Sequence, residues 1–271
     1  MCEKKWYKLV FEQLQPIHIG TKGYGVISET RIFIPGWTMW GALTKFYNLY
    51  YNKGNFSENE KLFENISCFY PSFEKNGDKP LLPRWEQGEF YLGDYREEFF
   101  RAMFVDTFVS TAIVPLTRGA KEESLHEIDI VLPKSKEAFH QESRENLYWV
   151  GLLKIDEQTK GKLSNNKQFK LTIGGDSRYG LGEMMLINIE EESIENDLNF
   201  LFANFLSVSN GPVESTIEHI IEIQRIENKN FSVKSKGLYY HPGYKMKKEE
   251  KEEEKIKKYV DKLSKGCIEK L

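Results

Sequence analysis

The chain is poor in cysteine, with only Cys2, Cys68 and Cys267 among 271 residues. No CxxC pair suggests a structural zinc site and no even set suggests a disulfide framework, so reduced thiols and a cytoplasmic setting are expected. Histidine is nearly as scarce. His18, His126, His140, His219 and His241 are widely separated and show no HxH, HExxH or mixed Cys/His ligand spacing, so no catalytic metal is indicated. No GxSxG nucleophile context occurs. No apolar stretch approaches the length of a membrane span. The opening Met1-Cys2-Glu3-Lys4-Lys5 runs at once into a strand-like pattern, with no signal or transit peptide readable. No repeat of solenoid length is evident. An excess of positive charge is also missing: 38 Lys and Arg face 41 Asp and Glu, for a net charge of −3, so any nucleic-acid surface must be local.

What is present is enough to build a large core. The chain is 40% hydrophobic and 14% aromatic, which suits one large globular domain or two small ones. Trp6 to Leu14 alternates bulky and polar residues and predicts a first strand. A glycine loop with Gly20, Gly23 and Gly25 follows, and Thr30 to Ile34 predicts a second short strand stopped by Pro35-Gly36. Thr38 to Tyr51 continues in helix-compatible spacing. Residues 56–100, broken by Pro71, Gly77, Pro80 and Pro83, read as an insertion with one short helix near Glu58 to Ile66. Met103 to Val114, Ile128 to Leu132 and Leu147 to Ile155 are rich in β-branched and aromatic residues and predict strands. Phe169 to Ile173 and Glu183 to Ile189 flank a second glycine-rich loop. Asp197 to Leu206 reads as a helix, Ile217 to Ile226 is apolar at mixed spacing, and Val233 to Tyr240 ends at His241-Pro242-Gly243. From Lys245 a Lys/Glu run carries Ile256, Tyr259, Val260 and Leu263 at helical spacing, a charged helix with a narrow apolar stripe suited to docking on its own domain or on a partner. The acidic runs Glu97-Glu98, Glu122-Glu123 and Glu190-Glu191-Glu192 read as solvated faces. The domain reading is a core over 1–190, an extension over 191–244 and a charged helix or tail over 245–271.

The most specific element is Ile173-Gly174-Gly175-Asp176-Ser177-Arg178-Tyr179-Gly180-Leu181-Gly182, set between two strand-like runs. Glycines permit positive φ and close approach of backbone N–H groups to an anion; Arg178 adds a guanidinium fork and Tyr179 a stacking face. On this reading Gly175 and Gly180 hold positive φ and present N–H groups to a phosphodiester. The spacing is neither GxGxxG ahead of a helix nor a GK[ST] loop, so no dinucleotide or nucleoside triphosphate cofactor is expected. The bland alternative is a glycine-rich hairpin that only turns the chain.

Three stretches read together carry a resemblance. Ile17-His18-Ile19-Gly20 followed by Ile34-Pro35-Gly36-Trp37-Thr38-Met39-Trp40-Gly41-Ala42-Leu43 resembles the opening of the RAMP superfamily of CRISPR-associated proteins. Thr111 to Ala120, running on through Leu125-His126-Glu127, is similar to a strand and loop of type III effector subunits, and Gly174 to Gly182 looks like the family's glycine-rich loop. The resemblance covers most of residues 6–190. It implies an α+β fold on a ferredoxin-like or RRM-like antiparallel sheet core of one or two units. It also implies CRISPR RNA and other Cas effector subunits as partners, with target RNA as a further one.

Beside that resemblance, Arg31, Lys45, Arg118, Lys121 and Arg178 are placed to neutralise phosphates, and Tyr24, Trp37 and Tyr179 to stack bases; Trp37 and Trp40 also fit core or subunit packing. The RNA-binding set is therefore Gly174, Gly175, Ser177, Arg178, Tyr179, Gly180 and Gly182 with Arg118, Lys121, Arg31, Lys45 and Trp37. The sequence departs from the family in two places. Cleaving members carry an aspartate ahead of the IPG motif where this chain has only Ser28 and Glu29. Serines and a basic residue usually follow IPG where it has Trp37-Thr38-Met39-Trp40. A non-catalytic RNA-binding subunit is the main expectation. The alternatives are a metal-independent endoribonuclease using His18 with Tyr24 as acid and base, and an interaction subunit without RNA contacts.

Overall fold

The computed structural model describes residues 3–51, 56–139, 145–165, 169–193, 198–208, 215–225, 231–245 and 253–269; Cys2 and His140 lie outside them, as does the side chain of Ile256. In chain order, β1 (Lys5–Gln13) leads into a hairpin of β2 (Gly20–Tyr24) and β3 (Ile27–Thr30), then α1 (Gly36–Tyr50), α2 (Phe56–Leu62) and β4 (Tyr70–Ser72). Next come β5 (Pro83–Glu86), β6 (Glu89–Leu92), β7 (Tyr95–Arg96), α3 (Glu97–Phe104), β8 (Val105–Ser110) and β9 (His126–Val131). The core resumes with β10 (Tyr148–Ile155), α4 (Glu157–Ser164), β11 (Lys170–Thr172) and β12 (Glu183–Glu191). The C-terminal part holds α5 (Leu198–Phe202), β13 (Phe205–Ser207), β14 (Ile217–Arg225), β15 (Phe231–Tyr240), α6 (Glu253–Asp261), β16 (Leu263–Ser264) and β17 (Cys267–Ile268).

The central sheet runs β11-β12-β1-β10-β4 with every neighbour antiparallel. Leaving aside edge strand β11, the series β1-α1-β4-β10-α4-β12 with spatial order β12-β1-β10-β4 is the ferredoxin-like βαββαβ arrangement, so the fold is α+β as the sequence predicts. Strand β1 is buried on both faces. Tyr7, Leu9 and Phe11 face the main core with Leu43, Phe46 and Tyr47 of α1, while Val10 packs with Val150, Leu152 and Phe200 on the other side. Lys8 and Glu12, on the Val10 face, are only half-buried, so the alternation of bulky and polar residues read from the sequence is broken at Val10 alone. Among the described residues no helix is long and apolar enough to cross a membrane.

Several sequence expectations need correction. Within the segment read as an insertion, α2 and β4 pack with the core, and the chain between β4 and β10 carries further elements. It forms the small sheet β5-β6-β7 and supplies β8 and β9, which join the β2-β3 hairpin in a second sheet β2-β3-β9-β8 where β3 and β9 are parallel. Glu97 to Phe104 is a helix whose Phe100, Met103 and Phe104 are buried in the main core, so Glu97-Glu98 opens a helix rather than marking a merely solvated face. The predicted strand over Thr30 to Ile34 is shifted back to β3, and Ile34 bridges to Phe69 instead. Asp197 to Leu206 is a short helix followed by a strand.

The last segment does more than the predicted charged helix. Tyr259 and Leu263 dock in a C-terminal cluster with Leu201, Leu206 and Tyr240. The chain then turns at Lys265-Gly266, and β17 adds to the sheet β14-β15-β13-β17-β16, parallel to β13. That turn lies against the start of α1. A Cβ on Gly36 would overlap the Gly266 nitrogen and lie 2.6 Å from its Cα, and the Lys265 ammonium sits 4.0 Å from the Trp40 ring centroid. Glycine at position 36 is required by this backbone crossing, and the helix start is covered by the protein's own C-terminal turn rather than open to a phosphate.

Candidate nucleic-acid interface

The Ile173 to Gly182 loop joins two paired strands, and its backbone is set by contacts with the residues after β1. Gly175 N–H donates to the His18 carbonyl at 2.9 Å, Gly182 N–H to the Pro16 carbonyl at 2.8 Å, and Ile173 N–H to the Gly182 carbonyl at 3.0 Å. Positive φ falls on Gly174 (75°), Asp176 (53°), Gly180 (79°) and Gly182 (93°). Of the two glycines expected to be left-handed, Gly180 is and Gly175 is not, its neighbour Gly174 being so instead; a Cβ on Gly174 would overlap the His18 carbonyl oxygen, and one on Gly182 the Ile173 carbonyl oxygen. A Cβ on Gly180 meets nothing within 4 Å. Tyr179 N–H donates to Asp176 and Gly180 N–H to Ser177. Four of the amides expected to cradle a phosphate are thus used inside the protein, and the loop presents side chains instead.

Those side chains are well supported. Leu181 anchors the loop in a cluster with Ile128 and Ile130 of β9, against which Phe108 of β8 also packs. This holds the short 3-10 turn Ser177–Tyr179 on the face of the β2-β3-β9-β8 sheet. Tyr179 is 54% exposed, and its ring lies 5.8 Å from that of Phe108. Ser177 and Arg178 are exposed beside it.

Beyond β8 the chain extends as an exposed arm over 111–125 before returning in β9. The Ile113–Ala120 bridge, Lys121 N–H to the Ala112 carbonyl at 2.8 Å and Thr111 Oγ1 to Ser124 Oγ at 2.9 Å keep it a hairpin. Arg118 and Lys121 are exposed on it, and Leu116 at its tip is 94% exposed. On the opposite flank of the sheet the β2–β3 hairpin presents Tyr24, 56% exposed. Among the described residues, Arg118, Lys121 and Arg178 take part in no ion pair.

The remaining expected contacts lie elsewhere. Arg31 is engaged on both guanidinium nitrogens by the Glu218 carboxylate, and its side chain is 10% exposed, so it is not presented to a phosphate. Trp37 is half-buried with its ring 5.0 Å from Phe205, a packing role. Lys45 is exposed on α1, whose main packing partners are α2 and β11 rather than the sheet bearing the arm. His18 is buried beneath Gly174 and Gly175, its Nδ1 donating to the Asp129 carbonyl at 2.7 Å. It pins the loop, and no contact joins it to Tyr24 at the exposed hairpin, so the acid–base pair read from the sequence is not assembled among the described residues.

Sequence reading missed a cleft of about 420 Å³ lined by Glu29, Arg31, Glu97, Arg101, Glu218 and His241 among others. Its named carboxylates and cations largely neutralise one another: Arg31 pairs with Glu218 and Arg101 with Glu97 at 2.8 Å. His241 lies amid Phe33, Trp85, Phe90 and Phe205, and among the described residues its Nδ1 has no hydrogen-bond partner. Burial, reinforced by the Arg31 charge and opposed by Glu218 and the Pro242 carbonyl, lowers its pKa to about 4. Glu29 is half-buried in this cleft. Among the described residues no group of three His, Cys, Asp or Glu is positioned to hold a metal ion.

No protein-family model and no curated protein matches the chain. Among solved structures, a chain of the cryo-EM structure of the Type III-B Cmr-beta bound to cognate target RNA and AMPPnP is 15% identical. It superposes with a TM-score of 0.53 over 97% of this chain and 94% of that one. A chain of the Type III-B Cmr-beta bound to cognate target RNA is 12% identical, with a TM-score of 0.57 over 88% of this chain and 85% of that one. The chain therefore has, over nearly its whole length, the fold of these Type III-B Cmr-beta chains.

Proposed function

We propose that this chain is a RAMP-superfamily subunit of a type III-like antiviral effector ribonucleoprotein, cytoplasmic, binding CRISPR RNA beside other Cas subunits and close to the target RNA. The observation that carries the reading is the placement of Arg178 and the Tyr179–Phe108 ring pair on the sheet from which the Arg118 and Lys121 arm projects. Cations that form no ion pair among the described residues, on the same sheet and its arm as an exposed ring, suit single-stranded RNA, whose phosphates need charge and whose bases need a face to stack on. Against the endoribonuclease alternative stands the burial of His18, whose Nδ1 donates to the Asp129 carbonyl.

Arg178→Ala is expected to weaken binding of a labelled guide RNA with little dependence on sequence. It should also make the slope of log affinity against log salt shallower by about one phosphate's worth. Because Arg178 is exposed and makes no ion pair among the described residues, the melting temperature should hold. Unchanged affinity and slope in the folded variant would remove the loop from the interface.

A further inference from the structure

Strands β14 and β15 form a two-stranded ribbon whose apolar and polar faces are reversed relative to an ordinary surface hairpin. Sheets with one solvated face normally turn apolar residues inward. Here the inward positions are largely polar and tie the ribbon to the body: Glu218 pairs with Arg31, and Glu222 accepts from Lys265 Nζ at 3.3 Å, with Ile220 buried between them. The outward face carries Ile217, Ile221 and Ile223 of β14 with Leu238, Val233 and Phe231 of β15, each between 52% and 68% exposed, and ends against the body at Tyr240, which pairs with Ile217 and is buried in the C-terminal cluster. The polar pair on that face satisfies itself, His219 Nε2 lying 2.8 Å from Ser235 Oγ.

We propose that this outer face docks on the same face of a second copy of the chain. Six apolar side chains exposed to this degree offer on the order of 600 Å² per copy, the upper end of what a monomer leaves open. Two such faces stacked would bury roughly 1,200 Å², the lower end of a stable specific interface. A two-fold arrangement brings the distal Phe231, Val233 and Ile223 of one ribbon over the proximal Ile217 and Leu238 of the other, so every apolar group meets another. RNA is a poor occupant because the six apolar side chains bring no cation to neutralise phosphate, and the register adds to this face a single basic position, Arg225 opposite Phe231 at its distal edge. The inference does not rest on the RNA-binding proposal.

The test is sedimentation equilibrium of the full chain from about 1 to about 100 µM, where an interface of this size dissociates measurably. The mass should rise toward two chains with concentration. The Ile223→Lys, Val233→Lys double variant, altering side chains 66% and 68% exposed, should keep its circular dichroism and remain one chain throughout. A wild-type chain that stays single at every concentration overturns the proposal, as does a dimer that the two lysines leave intact; either result would leave the RNA-binding reading untouched.

Discussion

Gly36→Ala is expected to lower stability by about 3 kcal/mol or more, a fall in melting temperature of roughly 10 °C for a chain of this size. The added methyl overlaps backbone, not a side chain that can swing away: Gly266 N and Cα and the Lys265 carbonyl carbon stand where it must go. Gly266→Ala should cost at least as much, because that residue also holds φ at 76° and a Cβ there lies 2.9 Å from Cys68 Sγ. Since both substitutions break one crossing, the double variant should lose little more than the worse single one. Gly180→Ala provides the contrast. It keeps open space around the methyl and strains only its φ of 79°, for about 1 kcal/mol. Equal losses at positions 36 and 180 in thermal denaturation would show that the C-terminal turn does not seat on α1 as described.

The second large effect is pH-dependent and belongs to His241. Its folded pKa of about 4 lies below the ordinary 6.5, so as pH falls the unfolded chain takes up the proton first. The stability this residue preserves is complete above pH 6.5 and is lost progressively as pH falls toward 4, by up to about 3 kcal/mol. His241→Phe keeps a ring among Phe33, Trp85, Phe90 and Phe205 but removes the titration. Urea unfolding at a series of pH values should show the wild type losing more stability than the variant between pH 6.5 and 4, while other titrating groups cancel in the difference. Parallel curves for the two proteins would place His241 in contact with water.

Central features of the fold were legible because they rest on local pattern. Trp6 to Leu14, Thr38 to Tyr51 and Leu147 to Ile155 match β1, α1 and β10 to within a few residues. α3 was not legible: Phe100, Met103 and Phe104 make a single turn of apolar spacing, too short to outweigh the β-branched run after it. The outward apolar face of β14 reads in sequence like any half-buried strand, since alternation does not say which side is the core. In the site, the exposure of Arg178 and Tyr179 followed from their place at a loop tip. Gly180 holds the positive φ read from the sequence; Gly175 does not, because its N–H is tied to the His18 carbonyl and the left-handed residue there is Gly174. Arg31 was misread for a similar reason: Glu218, which engages it, lies 187 residues away in sequence.

The central claim is that RNA lies on the surface carrying Tyr179, Arg178 and the arm. Its most direct test is ultraviolet cross-linking of the folded chain to a 4-thiouridine-substituted guide RNA, with the modified peptides mapped by mass spectrometry. Cross-links should concentrate at Tyr179 and on the arm around Arg118 and Lys121, and Tyr179→Ala should abolish the first set without unfolding the protein. Cross-links confined to other surfaces, or none at RNA concentrations that saturate binding, would contradict the account.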